Sequence, residues 1–315
     1  MFSKLKIFTG NANVELAKEV AKYAGIPLGD ADVFKFSNDN TFVKINENVR
    51  GADTYIIQPT CYPVNDNMME LLIMIDALKR ASAQRINCVI PLFGYARSDK
   101  KNQTGVPITA KLIADLITTA GASRIVAMDL HSDQIQGFFN IPVDHLYSMP
   151  IFVRHFKTNL DLSNAVVVSP DTGGTARARA LAKRLNCAIA IGDKRRIGND
   201  DKSEILNIIG EVKGKNAILF DDIIDTGGSL CKMSRVLLEQ GANKVYAACA
   251  HGIISGDAIQ RLEESPIEKL FITNSVPLSE EKKKCKKIVQ LSIAELLAIA
   301  IKKIHIEESL SILFR

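Results

Sequence analysis

Short β-branched and apolar runs alternate along the chain with stretches whose apolar residues recur three and four positions apart. The first pattern predicts strands at Lys4–Phe8, Thr54–Gln58, Ile86–Pro91, Arg124–Met128, Val166–Ser169, Ala188–Ile191, Ala217–Phe220, Lys244–Ala248 and Lys269–Thr273. The second predicts helices over Val14–Ala24, Met68–Ala81, Thr109–Ala120, Arg177–Leu185, Ser229–Gln240 and Ile293–His305. Such alternation implies an α/β protein whose mainly parallel sheets are flanked by helices. In sheets of this kind ligands gather where strand ends meet helix N-termini, so the loops after the strands are where chemistry is expected.

An internal echo suggests two similar domains. At an offset of 120, Gly121-Ala-Ser-Arg-Ile-Val-Ala127 parallels Gly241-Ala-Asn-Lys-Val-Tyr-Ala247, and His131 parallels His251. The preceding strands are offset by 128, Leu92 against Phe220, which leaves about eight extra residues in the polar loop Gly94–Val106. A loop of that kind is expected to be functional. The joint falls near Tyr147-Ser-Met-Pro150, giving domains of residues 1–147 and 148–305.

Composition narrows the class. With 315 residues, 47% hydrophobic and 24% charged, the chain can bury a sizeable core. No apolar run reaches the roughly 18 residues of a membrane span, because Glu295, Lys302 and Lys303 interrupt the most apolar stretch. The first residues carry no secretory pattern, and six scattered cysteines form no CxxC pair, so reduced thiols and a cytoplasmic location are expected. The net charge of +5 owes much to Lys282-Lys-Lys-Cys-Lys-Lys287, which reads as a solvated loop. Trp is absent, and no broad basic face with interleaved aromatics is visible, so nucleic acid is not an expected partner.

The sharpest segment is Ala217-Ile-Leu-Phe-Asp-Asp-Ile-Ile-Asp-Thr-Gly-Gly-Ser229. A strand runs into Asp221 and Asp222, and then Asp225, Thr226, Gly227, Gly228 and Ser229 open a helix. The glycines allow a tight turn whose N–H groups, with the helix N-terminus, form an anion cradle. Asp221 and Asp222 would repel that anion unless they serve a sugar's vicinal hydroxyls or a metal bridging them. A second Asp-Thr-Gly-Gly string, Asp171, Thr172, Gly173 and Gly174, follows the strand Val166–Ser169. Two such turns suit a substrate with phosphate at one end and diphosphate chemistry at the other. Neither GxxxxGK[ST] nor GxGxxG occurs, which excludes a P-loop kinase and a dinucleotide-binding dehydrogenase.

Asp221–Ser229 resembles the signature of the type I phosphoribosyltransferase fold. The wider chain resembles the ribose-phosphate diphosphokinase family along essentially its whole length, through Asn46–Gly51, Asn65–Arg80, Gly94–Arg97, Asp129–His131, Gln134–Phe139 and Asp193–Arg196. That resemblance implies a cytoplasmic, Mg²⁺-dependent enzyme moving a diphosphoryl group from ATP to ribose 5-phosphate, built as a homo-hexamer of dimers. It implies an ATP-side N-terminal domain, on which residues 306–315 pack, and a C-terminal domain with the sugar and diphosphate loops. It makes Lys194 and Arg196 catalytic, with Arg196, Asp221, Asp222 and Asp225–Ser229 on ribose 5-phosphate. Asp171–Gly174 becomes the diphosphate loop, and His131 and Asp171 become Mg²⁺ ligands. Phe36, Asn38, Asp39, Asn40, Arg97 and Ser98 fall to ATP. Many relatives carry Asp-Gly-Glu where this chain has Asn38-Asp39-Asn40, so the base contacts depart from the family pattern. Ser309–Phe314 is expected near a subunit contact or regulatory site.

Overall fold

A computed structural model describes residues 4–196 and 204–314; the side chains of 194–196, 204–206 and 314 lie outside the description. It divides into two compact units. Unit 1 holds Met1–Tyr147, Ser275–Pro277 and Ser292–Arg315, and unit 2 holds Ser148–Asn274 and Leu278–Leu291.

Unit 1 runs β1 (Leu5–Thr9), α1 (Val14–Ala24), β2 (Ala31–Lys35), β3 (Thr41–Ile45), β4 (Asp53–Ile57), α2 (Val64–Arg80), β5 (Arg85–Ile90), α3 (Thr109–Ala120), β6 (Arg124–Met128) and β7 (Val143–Leu146). Its parallel sheet has the order β1-β4-β5-β6-β7, and β2 and β3 form a separate antiparallel hairpin. Every residue of β4 is buried, as expected where helices cover both faces of a sheet. Helix α1 starts where the Asn13 side chain accepts the Leu16 N–H at 3.2 Å and stops at left-handed Gly25.

Unit 2 runs α4 (Met149–Asn159), β8 (Ala165–Ser169), α5 (Thr175–Leu185), β9 (Ala188–Arg196), β10 (Glu204–Ile209), β11 (Asn216–Ile224), α6 (Gly228–Glu239), β12 (Lys244–Gly252), α7 (Ala258–Glu263), β13 (Ile267–Thr273), α8 (Glu280–Lys283) and β14 (Ile288–Leu291). Its sheet has the order β10-β9-β8-β11-β12-β13-β14, parallel except for β10 against β9.

The two units repeat one plan: strand, helix, hairpin, then strands laid side by side. β1 corresponds to β8, the hairpin β2–β3 to β9–β10, β4 to β11, β5 to β12, and β6 to β13. The echo at offset 120 does not follow this repeat. It sets β6 against β12, one strand out of step. Its shared element is a helix that ends on a glycine with positive φ, Gly121 or Gly241, and turns straight into a parallel strand. That local grammar is not confined to one place: α2 and α5 also leave through a positive-φ residue, Ser82 and Asn186, into a parallel strand.

One expected boundary also changes. Helix α9 (Ala294–His305) belongs to unit 1 rather than to the C-terminal domain. Its apolar face is buried through Leu297, Ala298, Ile301 and Ile304. Its end is fixed where His305 Nδ1 lies 2.7 Å from Asp53 Oδ2, a fully buried carboxylate that also accepts Arg85 Nη2 at 2.6 Å. Sequence spacing alone cannot show that partner. All six cysteines are free thiols. Among the described residues no helix is long and apolar enough to cross a membrane.

Candidate functional site

In unit 2 the chemistry gathers at the carboxyl ends of the adjacent parallel strands β8 and β11. The loop after β8 carries Asp171–Gly174. Asp171 Oδ1 accepts the Gly174 N–H at 3.0 Å, and the Ser169 hydroxyl donates to the Asp171 carbonyl at 2.6 Å, so the loop is tied to its own strand. Asp171, Thr172 and Gly173 are exposed.

The carboxyl-terminal part of β11 carries the acids Asp221 and Asp222, and the loop after it carries Asp225. Arg177, one turn into α5, donates from Nη1 to Asp222 Oδ1 at 3.1 Å and lies 3.4 Å from Asp221 Oδ1. Asp221 also accepts the backbone N–H of Asp222 at 2.9 Å. The two carboxylates differ in access: the Asp221 side chain is 29% exposed and that of Asp222 is 6%. Burial, then the hydrogen bond and charge of Asp222, push the Asp221 carboxyl up to about 7, while Arg177 pulls it the other way. Asp221 thus changes charge near neutrality.

Gly227 opens α6 with φ of 72°, a left-handed turn that a side chain disfavours. Gly228 has no such constraint, and a Cβ there would meet nothing nearer than Thr226 Oγ1 at 3.9 Å. Thr226 and Ser229 are exposed. The Ser255 hydroxyl donates to Asp225 Oδ1, and Arg261 Nη1 donates to the Thr226 carbonyl at 3.0 Å. Arg177, Ser255 and Arg261 escaped sequence reasoning. Arg177 had a signal, a cation one turn into the helix that follows Asp-Thr-Gly-Gly. The other two, Ser255 in the loop after β12 and Arg261 on α7, had none.

The backbones of Lys194 and Arg196 lie on β9, paired with Leu206 and Glu204 of β10. Their side chains, and residues 197–203 between the strands, lie outside the described residues. Strand β9 runs close to the start of the loop after β8 because Gly192 has no side chain: a Cβ there would lie 2.6 Å from the Pro170 carbonyl oxygen.

In unit 1 the β2–β3 hairpin presents Phe36 at its tip, 48% exposed. It packs against Phe34 and Phe42 at centroid distances of 5.3 and 5.5 Å. The turn holds itself: the Phe36 N–H donates to the Asn40 carbonyl at 2.9 Å, and Asn38 Oδ1 accepts the Asn40 N–H at 3.3 Å. Asp39, with φ of 67°, accepts Lys35 Nζ at 2.7 Å, and Lys35 also pairs with Asp66 of α2 at 2.9 Å. The amide oxygen of the exposed Asn38 is thus engaged within the turn. Arg97 is exposed and Ser98 half-buried in the long loop before α3, where the Ser98 N–H donates to the Tyr95 carbonyl at 2.8 Å.

After β6 the chain makes a strained turn at Asp129, φ 40°, and presents His131 in an exposed position. The Leu130 N–H donates to Nε2 of the buried His145 at 2.9 Å. His145 Nδ1 must then carry the proton, facing Asp133 Oδ1 at 3.4 Å. His145, on β7, is a further residue that the sequence did not single out. His131 belongs to unit 1 and Asp171 to unit 2. Among the described residues no three His, Cys, Asp or Glu side chains cluster as a metal site.

Comparison with known proteins places this geometry. Residues 5–121 match the N-terminal domain of ribose phosphate pyrophosphokinase, and residues 195–315 match the phosphoribosyl synthetase-associated domain. The chain is 55% identical over 312 residues to a ribose-phosphate pyrophosphokinase of Caldanaerobacter subterraneus subsp. tengcongensis, covering 99% of this chain and 98% of that protein. It is 52% identical over 310 residues to one of Bacillus subtilis, covering 98% and 97%. The crystal structure of phosphoribosylpyrophosphate synthetase from Mycobacterium smegmatis is similar with a TM-score of 0.91 and 42% identity, over 96% of this chain and 99% of that one.

Proposed function

The chain belongs to the ribose-phosphate pyrophosphokinase family, and on that premise we propose how its residues divide the reaction. The enzyme transfers the β,γ-diphosphoryl group of ATP to the 1-hydroxyl of ribose 5-phosphate, giving phosphoribosyl diphosphate and AMP. The observation that carries the residue assignment is the pair of Asp-Thr-Gly-Gly turns at the ends of neighbouring parallel strands, with Arg177 linking one to the acids of the other.

In this reading the amides and hydroxyls of Asp225–Ser229 hold the 5-phosphate at the start of α6. Asp221, the more accessible acid, takes the ribose hydroxyls with Asp222 behind it, held by Arg177. Asp171–Gly174 receives the diphosphate as it arrives on the sugar. The anomeric oxygen attacks the β-phosphorus in line, the bond to the α-phosphate oxygen breaks, and AMP leaves with that oxygen. Transfer of this type needs positioning and charge neutralisation more than covalent help. Lys194 and Arg196, carried on the β9–β10 hairpin, stabilise the charge that develops on the transferring group and on departing AMP.

Phe36 offers an apolar face to adenine, with Asn38, Asp39 and Asn40 around it, and Arg97 and Ser98 hold the nucleotide phosphates. Mg²⁺ belongs to the reading: the exposed His131 of unit 1 and the exposed Asp171 of unit 2 are each groups that would meet a hydrated cation, which keeps water and substrate phosphates, takes few protein groups and would neutralise phosphate charge. A cytoplasmic homo-hexamer built from dimers completes the proposal, checked by sedimentation and by fractionation of the source cells.

Phosphorus NMR of a mixture of ATP, ribose 5-phosphate and enzyme tests the reaction. AMP and a sugar diphosphate should grow together. ADP with ribose 1,5-bisphosphate, or no loss of ATP, would contradict it. A phosphoribosyltransferase, which shares the Asp221–Ser229 turn, would leave ATP intact.

A further inference from the structure

The repeat between the units raises a question that the reaction leaves unanswered. The loop after β8 is the exposed Asp171–Gly174 turn, and its counterpart in unit 1 is the loop after β1, Gly10-Asn11-Ala12-Asn13. There the space is filled. Glu70, the seventh residue of α2 and 8% exposed, reaches back to this loop. Its Oε1 accepts the Asn11 N–H at 2.5 Å and Gln58 Nε2 at 2.7 Å, and its Oε2 accepts Asn11 Nδ2 at 2.8 Å. The Ala12 N–H donates to Gln58 Oε1 at 3.2 Å. Gln58 is fully buried. A Cβ on Gly10 would collide with both Gln58 Oε1 and Glu70 Oε1, so the backbone closes directly onto the carboxylate.

Three N–H donors converging on one anion, against a glycine, at the carboxyl end of the first strand of the plan, is the arrangement by which such loops bind oxyanions. The equivalent helix of unit 2 differs at the matching place. The seventh residue of α6 is Ser234, a short side chain that donates to the Cys231 carbonyl of its own helix at 2.7 Å. Nothing from that position extends toward the loop after β8.

We propose that unit 1 retains an oxyanion cradle of the phosphate or diphosphate class, and that the carboxylate of Glu70 occupies it as a built-in ligand. The filled cradle keeps phosphate-bearing ligands out of the loop after β1, so the duplicated plan keeps a single phosphoribosyl site. The inference stands on unit 1 alone, and its failure leaves the assignment of unit 2 intact.

The test uses full-length Glu70→Ala, titrated with inorganic diphosphate by calorimetry and melted in inorganic phosphate, in formate and in chloride. The variant should bind one more diphosphate per chain than wild type binds at its sites for substrate phosphates. Phosphate or formate should raise the variant's Tm by about 2–4 °C more than they raise that of wild type, the shift expected when a ligand fills a vacated site several-fold above its Kd. A folded variant with unchanged stoichiometry and no selective recovery would overturn the proposal. Recovery by formate alone would make the cradle one for carboxylates and overturn its phosphate class. If Glu70→Ala does not fold, Glu70→Asp and Glu70→Gln decide the matter. The shorter anion should be the more stable of the two, and a more stable Gln would show that shape, not charge, fills the loop.

Discussion

Two adjacent glycines at the start of α6, Gly227 and Gly228, should respond in opposite ways to one added methyl group. At Gly227 the backbone has φ of 72°, where an L-residue costs about 1–2 kcal/mol. Lower entropy of the unfolded chain returns about 0.4–1 kcal/mol, so Gly227→Ala should lose roughly 1 kcal/mol, or about 2–4 °C in Tm for a unit of this size. Gly228 lies at the start of α6 with φ outside the left-handed region, and a Cβ there meets no atom of the chain nearer than 3.9 Å. Gly228→Ala should therefore be neutral or slightly stabilising. If the N–H groups of this loop hold the 5-phosphate, the same methyl stands where the phosphate must approach. Loss of one charge-assisted hydrogen bond, about 1.5–3 kcal/mol, should raise KM for ribose 5-phosphate by roughly 10- to 150-fold and leave that for ATP nearly unchanged. Thermal melting and initial rates with each substrate varied read both effects. An unchanged ribose 5-phosphate KM in Gly228→Ala, or a greater loss of stability there than in Gly227→Ala, would refute the reasoning.

Lys194→Ala should lower kcat at least about a hundredfold with smaller changes in KM, the signature of a lost transition-state donor; a few-fold loss would remove Lys194 from that role. Asp221, raised from 3.8 to about 7, makes two opposite pH predictions. Without ligand the folded state binds this proton more tightly than the unfolded chain, so the group's contribution to stability is full below about 3.8 and is lost as pH rises to about 7. Ribose 5-phosphate, by contrast, should bind better as pH passes 7 and the carboxylate forms, and Asp221→Asn should flatten that slope beyond what the substrate's own phosphate produces; an identical slope would exclude Asp221 from the sugar site. At the hairpin tip, Asn38 uses its amide oxygen in the turn, so its NH₂ group and Asn40 are what remain for a purine. Asn38→Asp combined with Asn40→Glu should raise the preference for ATP over GTP by roughly tenfold, and an unchanged ratio would place these side chains away from the base.

What could be read in advance follows from where the determining interactions lie. Helices α1 and α3 keep their expected limits because their stops are local: glycine ends both, and α1 begins on the Asn13 cap. The fully buried strand β8 announces itself as the apolar run Ala165–Val168, whereas the equally buried β4 opens on Asp53 and Thr54 and is apolar only from Tyr55 to Ile57. The β2–β3 hairpin did not announce itself, since Ala-Asp-Val-Phe-Lys is exposed and packs its aromatics on the partner strand. Helix α4 was hidden by Pro150, which looks like a break but sits in the first turn, where its missing N–H costs nothing. Asp-Thr-Gly-Gly chemistry is confined to a few consecutive residues and was legible. Arg177, His145, Ser255 and Glu70 act through partners 15 to 59 residues away, and their roles exist only once the strands are laid side by side. The two-unit repeat was expected from an echo that does not belong to it: the repeat is set by sheet order, which a helix-to-strand turn repeated at offset 120 cannot encode.

Hydrogen exchange with mass spectrometry tests most directly the claim that ribose 5-phosphate occupies the loop after β11. Ribose 5-phosphate alone should slow exchange of the amides of Thr226, Gly227, Gly228 and Ser229, and Gly228→Ala should abolish that protection at the same ligand concentration. Protection that is absent from this loop, or that appears there with ATP alone and not with the sugar phosphate, would contradict the account.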